Sequence, residues 1–173
     1  DGDFHFTPPR PMIEDLDRIP RPDYELVDMQ HYFTTAPTTS QRQLQIVTSR
    51  GCPYDCEFCY NLKFNERRFR FQSAGRTVAD LTYLVEQFGV RAIFVEDDYF
   101  FGNPRRVEEI CDLLLEQEQD VLLQVPCRID YLDRQTPEML DKLYRAGFKE
   151  LWIGIESGSE DRLKEIMKRN TLD

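Results

Sequence analysis

From residue 44 onward the chain repeats one alternation of hydrophobic and polar positions. Four short apolar runs, LQIVTS (44–49), RAIFVED (91–97), DVLLQVPCR (120–128) and ELWIGIES (150–157), read as strands. The first is followed by Val78, Leu81, Val85 and Phe88 at helical spacing, closed by Gly89. A second helix is entered through Asn103 as cap and Pro104 as first residue, and carries Val107, Ile110 and Leu114. A third opens at Thr136 and Pro137, carries Leu140, Leu143 and Tyr144, and stops at Gly147; a fourth opens after Ser157-Gly158-Ser159 and carries Leu163, Ile166 and Met167. The last three strands begin about 30 residues apart, the length of one βα unit. Strict βαβα order predicts an α/β fold with a parallel sheet, and the nearly continuous apolar runs predict that both sheet faces are covered.

Residues 1–43 break this pattern. They hold six of the ten prolines and no long period, and read as an extended, proline-rich linker. The isolated apolar residues Ile13, Leu16, Ile19, Tyr24, Leu26 and Val27 predict that this segment lies against a folded surface. Residues 44–173 form the second unit. The chain opens at Asp1 without a methionine and ends at RNTLD within a helical pattern, which predicts a longer parent chain.

Charge and composition narrow the classes of partner. Lys plus Arg number 22 against 32 Asp plus Glu, a net charge of −10, so a nucleic-acid partner is not expected. No apolar run approaches the ~20 residues of a membrane span, so no membrane partner is expected either. The five cysteines are odd in number, and three of them, Cys52, Cys56 and Cys59, fall within eight residues. This predicts a metal site in a reducing cytoplasm rather than a disulfide framework.

The polar chemistry sits where the strands end, the face on which parallel α/β sheets carry function. The cysteine loop follows the first strand, Glu96-Asp97-Asp98 ends the second, Arg128 and Asp130 follow the third, and Glu156-Ser157 ends the fourth. Zinc prefers four closed protein ligands, and the remaining candidates are Cys111 and Cys127 with His5 and His31 in the linker. Three thiolates suit a 4Fe-4S cluster with one iron left open.

CPYDCEFC resembles the signature of the radical S-adenosylmethionine (radical SAM) superfamily, C-x-x-x-C-x-aromatic-C, with Phe58 in the aromatic place. FVEDDYFFGNPRRVEEICDLL and CRIDYLDRQTPEMLDKLYRAGFKELWIGIESGSEDRLKEIMKR extend the likeness to the branch often joined to a cobalamin-binding domain. The resemblance implies a partial TIM barrel of six βα units, of which this chain supplies the first four. It implies that Cys52, Cys56 and Cys59 hold the cluster and that S-adenosylmethionine chelates the open iron. Phe58 and Tyr60 would lie near the adenine, and Glu156 and Ser157 near the ribose or methionine moiety. Arg128 would pair with the methionine carboxylate. Glu96-Asp97-Asp98 stands where many members have Gly-Gly-Glu, whose carboxylate binds the methionine ammonium; Asp97 and Asp98 are favoured for that role.

The implied activity is reductive cleavage of S-adenosylmethionine to methionine and a 5′-deoxyadenosyl radical, for methyl transfer or oxidative rearrangement on an unactivated carbon. The implied partners are a small-molecule substrate and a low-potential electron donor of flavodoxin or ferredoxin type. No D-x-H-x-x-G motif occurs, so cobalamin, if used, is bound by a domain outside these residues. Two rivals are a tRNA methylthiotransferase and a non-catalytic iron–sulfur module. The residues also have plainer readings. Glu96-Asp97-Asp98 and Glu156-Ser157 could cap turns or helices, and Arg128–Asp130 could be a surface pair. Arg67, Arg68 and Arg70 read as a solvated run, Cys111 and Cys127 as buried apolar groups, and Tyr99, Phe100 and Phe101 as packing.

Overall fold

A computed structural model describes residue 2 and residues 4–170. A two-residue strand β1 (Thr34–Thr35) pairs antiparallel with β2 (Arg42–Ile46). A second small ladder, β3 (Ser49–Arg50) with β4 (Arg70–Phe71), closes the base of the cysteine loop, which also holds a single helical turn, α1 (Asn61–Phe64). Then α2 (Ala74–Phe88), β5 (Ala92–Val95), α3 (Pro104–Glu116), β6 (Leu122–Arg128), α4 (Ile129–Leu132), α5 (Pro137–Arg145), β7 (Phe148–Gly154) and α6 (Glu160–Glu165) follow in βα order. The main sheet runs β1-β2-β5-β6-β7, with β2, β5, β6 and β7 mutually parallel. These are four βα units of a partial TIM barrel. The sheet is open, with β7 at its edge.

The helices begin and end where the sequence places caps. Ser73, Asn103, Thr136 and Ser159 each accept the backbone N–H three residues on, and Gly89 ends α2 in the left-handed region at φ 64°. One sheet face is buried under the helices. Leu44, Ile93, Val95, Leu123, Val125 and Phe148 meet Val78, Leu81 and Leu84 of α2, Val107, Ile110 and Leu114 of α3, and Leu143 of α5. Phe100 and Phe101 complete this core, with Phe101 stacked on Tyr131 at 4.3 Å.

The opposite face corrects the expectation of a sheet covered on both sides. In one register row lie Gln45, Phe94, Gln124 and Glu150. Gln43 donates to Gln124, and Gln124 Nε2 donates to Glu150 Oε2 at 2.5 Å. Phe94 meets Trp152 edge-on at 5.2 Å. The strands therefore alternate, apolar toward the helices and polar or aromatic toward the concave side. The apolar runs hid this because Gln43, Gln45 and Gln124 are scattered singly among aliphatic residues.

The first strand also differs from its expected span. It begins at Arg42 and stops at Ile46, and Ser49 has moved into the second ladder. The N-terminal segment lies along α2. Leu16 is buried, Arg21 Nε donates to Asp80 Oδ1 at 2.8 Å, and Arg76 holds the carbonyls of Asp17 and Ile19 at 3.1 Å each.

Candidate functional site

The cysteine loop leaves the sheet through a tightly held turn. Beyond Ile46 the backbone of β2 is taken over by Asp97 from the end of β5. Its carboxylate accepts from Thr48 N at 2.5 Å, Thr48 Oγ1 at 2.6 Å and Ser49 N at 2.9 Å. This diverts residues 48–49 out of the main sheet. Arg106 of α3 locks the same corner, donating to Gln72 O at 2.7 Å, Thr48 Oγ1 at 2.8 Å and Thr77 Oγ1 at 3.0 Å. Burial pushes the Asp97 carboxyl above its ordinary range, against the pull of its three donors, and pushes the Arg106 guanidinium down to about 10.

Gly51 is the next requirement. Its φ is 82°, and a Cβ there would lie 2.0 Å from the carbonyl oxygen of Arg68, so only glycine lets the two sides of the loop approach. Its N–H donates to Asp98 Oδ2 at 2.7 Å. Asp98 also accepts from the Tyr60 hydroxyl, and from Asn65 Nδ2 at 3.3 Å. That hydrogen bond raises the Tyr60 phenol to about 12, with desolvation and the Asp98 charge adding to it. Asn65 in turn accepts from Arg70 Nη2 at 2.8 Å. Arg70 is buried and also donates to Ile13 O, which corrects its reading as part of a solvated run; Arg67 and Arg68 are exposed.

The far side of the loop is fixed by β6 and by the segment after α6. Arg128 ends β6 and is 8% exposed. It donates to Asp130 Oδ1, Lys168 O and Asn170 Oδ1, each at 2.8 Å, and to Cys56 Sγ at 3.7 Å. The Arg128–Asp130 pair is therefore part of the site rather than a surface pair. Desolvation pulls its guanidinium pKa down, but Asp130 and Tyr54 outweigh this and the net direction is upward. Glu57 N donates to Ile166 O at 3.0 Å, and Arg169 pairs with Asp55. Lys168, buried, donates to Glu156 Oε1 at 2.8 Å, with its Nζ 5.9 Å from the Phe58 ring centroid. Glu156 itself sits at φ 64°, next to Gly154, where a Cβ would come 2.7 Å from the Glu156 Oε1.

These contacts hold the loop that bears Cys52, Cys56, Phe58, Cys59 and Tyr60 against Asp98 and Arg128, with Glu156 joined through Lys168. Glu96 stands apart. It lines a cavity of about 410 Å³ with Val47, Arg50 and Tyr24. Ser157 serves a local turn, its Oγ accepting from Ser159 N at 3.1 Å. Cys111 and Cys127 are buried outside the loop, and burial raises both thiols to about 12. Cys52 is raised too, by burial first. Among the described residues, no three His, Cys, Asp or Glu side chains converge closely enough to hold one metal ion. A zinc site closes four ligands on a single ion, whereas a four-iron cluster takes each thiolate on a different iron and accepts wider spacing.

Gly51, Tyr54, Asn65, Arg106 and Lys168 were not singled out from the sequence. A glycine directly after a strand and an aromatic within the cysteine spacing were the available signals for the first two. The other three act through partners distant in sequence and gave none.

A model of the Radical SAM superfamily matches residues 46–173. The chain is 29% identical over 167 residues to an uncharacterized methyltransferase of Pyrococcus horikoshii, covering 96% of this chain and 35% of that protein. It is 28% identical over 173 residues to the anaerobic magnesium-protoporphyrin IX monomethyl ester cyclase of Rubrivivax gelatinosus, covering 100% of this chain and 30% of the relative. Among solved structures, the cobalamin-dependent S-adenosylmethionine radical enzyme OxsB, with aqua-cobalamin and S-adenosylmethionine bound, aligns with a TM-score of 0.61 at 28% identity. That alignment covers 75% of this chain and 20% of OxsB. The chain thus spans about a third of the length of these curated relatives.

Proposed function

Because the chain belongs to the Radical SAM superfamily, we propose that it is the S-adenosylmethionine-cleaving part of an enzyme, with a 4Fe-4S cluster held by Cys52, Cys56 and Cys59. The observation that carries this reading is the anchoring of one loop from three strand ends. Asp98 after β5, Arg128 at the end of β6 and the 166–168 segment beyond β7 all bind the loop that bears the three thiols. The donor set fits the cluster, with three thiols in the loop and both other cysteines buried elsewhere. Cys52, Cys56 and Cys59 would hold the cluster, which would supply the electron for reductive cleavage of the carbon–sulfur bond of S-adenosylmethionine.

The chain's own residues bind and orient the ligand. Asp98 is partly exposed and has three donors on its two oxygens, which leaves an acceptor position for the methionine ammonium. Asp97 is sealed beneath Thr48 and acts on the loop's entry instead. Glu156, steadied by the buried Lys168, offers a carboxylate to the ribose or methionine moiety, with Ser157 beside it. Phe58 and Tyr60 are exposed and present ring faces to the adenine. The concave face, with Phe94, Trp152 and the Gln124–Glu150 pair, is where a small substrate would meet the radical.

Methyl transfer is the overall chemistry favoured here, supported by the methyltransferase named among the relatives, with oxidative ring chemistry of the cyclase kind beside it. Cobalamin, as in OxsB, would be held outside residues 1–173. A flavodoxin- or ferredoxin-type donor would deliver the electron. Among the described residues no helix is long and apolar enough to cross a membrane. The test is anaerobic reconstitution of the full-length protein, followed by reduction with S-adenosylmethionine present. About four irons per chain and release of 5′-deoxyadenosine are expected, both lost on replacing Cys52, Cys56 or Cys59 by Ala and kept in Cys111→Ala. Stoichiometric zinc without sulfide, or a cluster that releases no 5′-deoxyadenosine, sinks the reading.

A further inference from the structure

Arg128 meets the cysteine loop at two points. Its Nη1 donates to Cys56 Sγ at 3.7 Å, and its guanidinium lies 3.6 Å over the Tyr54 ring. The Tyr54 hydroxyl donates to Asp130 Oδ2 at 2.9 Å while Asp130 Oδ1 accepts from Arg128 Nε, so Arg128, Asp130 and the loop's own Tyr54 form a closed ring of contacts. The other arm, Nη2, is fixed on Lys168 O and Asn170 Oδ1. Arg128 is 8% exposed and Cys56 6%. A guanidinium has five N–H groups in a rigid fork, and four acceptors here hold it in place. It is not poised to swing toward a ligand's carboxylate. It is a fixed cationic donor on one particular sulfur.

We infer that Arg128 is a positioning residue for the cluster, its Nη1–H resting on the Cys56 sulfur and favouring the reduced state. The inference rests on the cluster reading above. Reduction brings in one electron from an external low-potential donor, breaks no bond and moves no proton. The added negative charge is shared with the ligating sulfurs. A nearby donor that cannot move away therefore stabilises the reduced form more than the oxidised one, and hydrogen bonds to sulfur and local charge are what set such potentials. A salt bridge of purely architectural value would help the loop fold and leave the potential alone.

The experiment is an EPR-monitored redox titration of the full-length, anaerobically reconstituted protein, with iron counted in each sample. Arg128→Met removes both donor and charge. Among the clusters that form, its one-electron reduction constant should fall about tenfold, a midpoint about 59 mV more negative. Arg128→Lys keeps the charge without the fork and should fall between. A normal potential in Arg128→Met, whether or not its iron content drops, overturns the inference while leaving the cluster reading intact. Should Arg128→Met take up no iron, wild-type protein grown with 15N-arginine decides. A 15N coupling to the reduced cluster that disappears in Arg128→Lys supports the inference, and its absence in the wild type overturns it. A wild type that builds no four-iron cluster overturns the cluster reading itself, and this inference with it.

Discussion

At the residue scale, Tyr60 gives a pH signature that its position in the sequence does not announce. Its phenol rises from the ordinary 10.0 to about 12 because its hydroxyl donates to Asp98. The proton is held more tightly in the folded chain than in the unfolded one. The Tyr60–Asp98 contact therefore contributes fully below pH 10.0 and is lost as pH rises through about 12. In urea unfolding of the apoprotein, wild type should lose stability more steeply than Tyr60→Phe across that window, and the two should run parallel below it. Parallel curves throughout would place the Tyr60 hydroxyl away from Asp98. The three loop cysteines were legible because covalent spacing brings them together whatever the rest of the chain does. The roles of Asp97 and Asp98 were not. Both carry acceptors that look free in sequence, and only the fold shows their partners to be Thr48, Ser49 and Gly51, nearly fifty residues earlier.

At the element scale, the sheet and helices follow from periodicity and caps, but the joint between β2 and the loop follows from one buried cation. Arg106 extends from α3 to Gln72, Thr48 and Thr77, tying helix, strand end and α2 together. Arg106→Ala should cost about 1.5–3 kcal/mol in chemical denaturation, because it leaves the buried acceptors Gln72 O, Thr48 Oγ1 and Thr77 Oγ1 without their charged donor. Iron uptake should fall with it, since the loop's entry is no longer fixed. A loss below about 1 kcal/mol would mean that water replaces the guanidinium there. In sequence nothing separates this residue from the neighbouring Arg105, and only the fold shows that it is buried. The short β1–β2 and β3–β4 ladders were equally hidden, because strands of two residues carry no periodicity. The alternation in β2 and β6 was present in the sequence. It was masked by the aliphatic runs, which a parallel sheet buried on both sides would also produce.

At the scale of the whole molecule, β7 is the edge of the main sheet, and its outer side is unpaired among the described residues. Trp152 is 51% exposed, and Ile153 and Ile155 are exposed beside it. An apolar strand edge of this kind is a template for association. The 173 residues on their own should self-associate in light scattering, and Ile155→Lys should reduce this; a monodisperse wild type would show the edge to be harmless. The other edge differs, since β1 pairs with the start of β2 and the N-terminal strap lies along α2. A two-residue strand thus covers the start of one edge and the other edge is bare among the described residues, with the cysteine loop held at the carboxyl ends of the strands. Three thiolates there would hold a four-iron cluster with one iron free for S-adenosylmethionine. The most direct test is the EPR spectrum of the reduced, reconstituted full-length protein, recorded with and without S-adenosylmethionine. About four irons per chain are expected, with a spectrum that changes when the ligand is added, less readily in Asp98→Ala, where loss of a charge-assisted partner weakens binding by about 1.5–3 kcal/mol. A spectrum indifferent to S-adenosylmethionine, from a cluster of full iron content, would overturn the assignment of an iron open to that ligand.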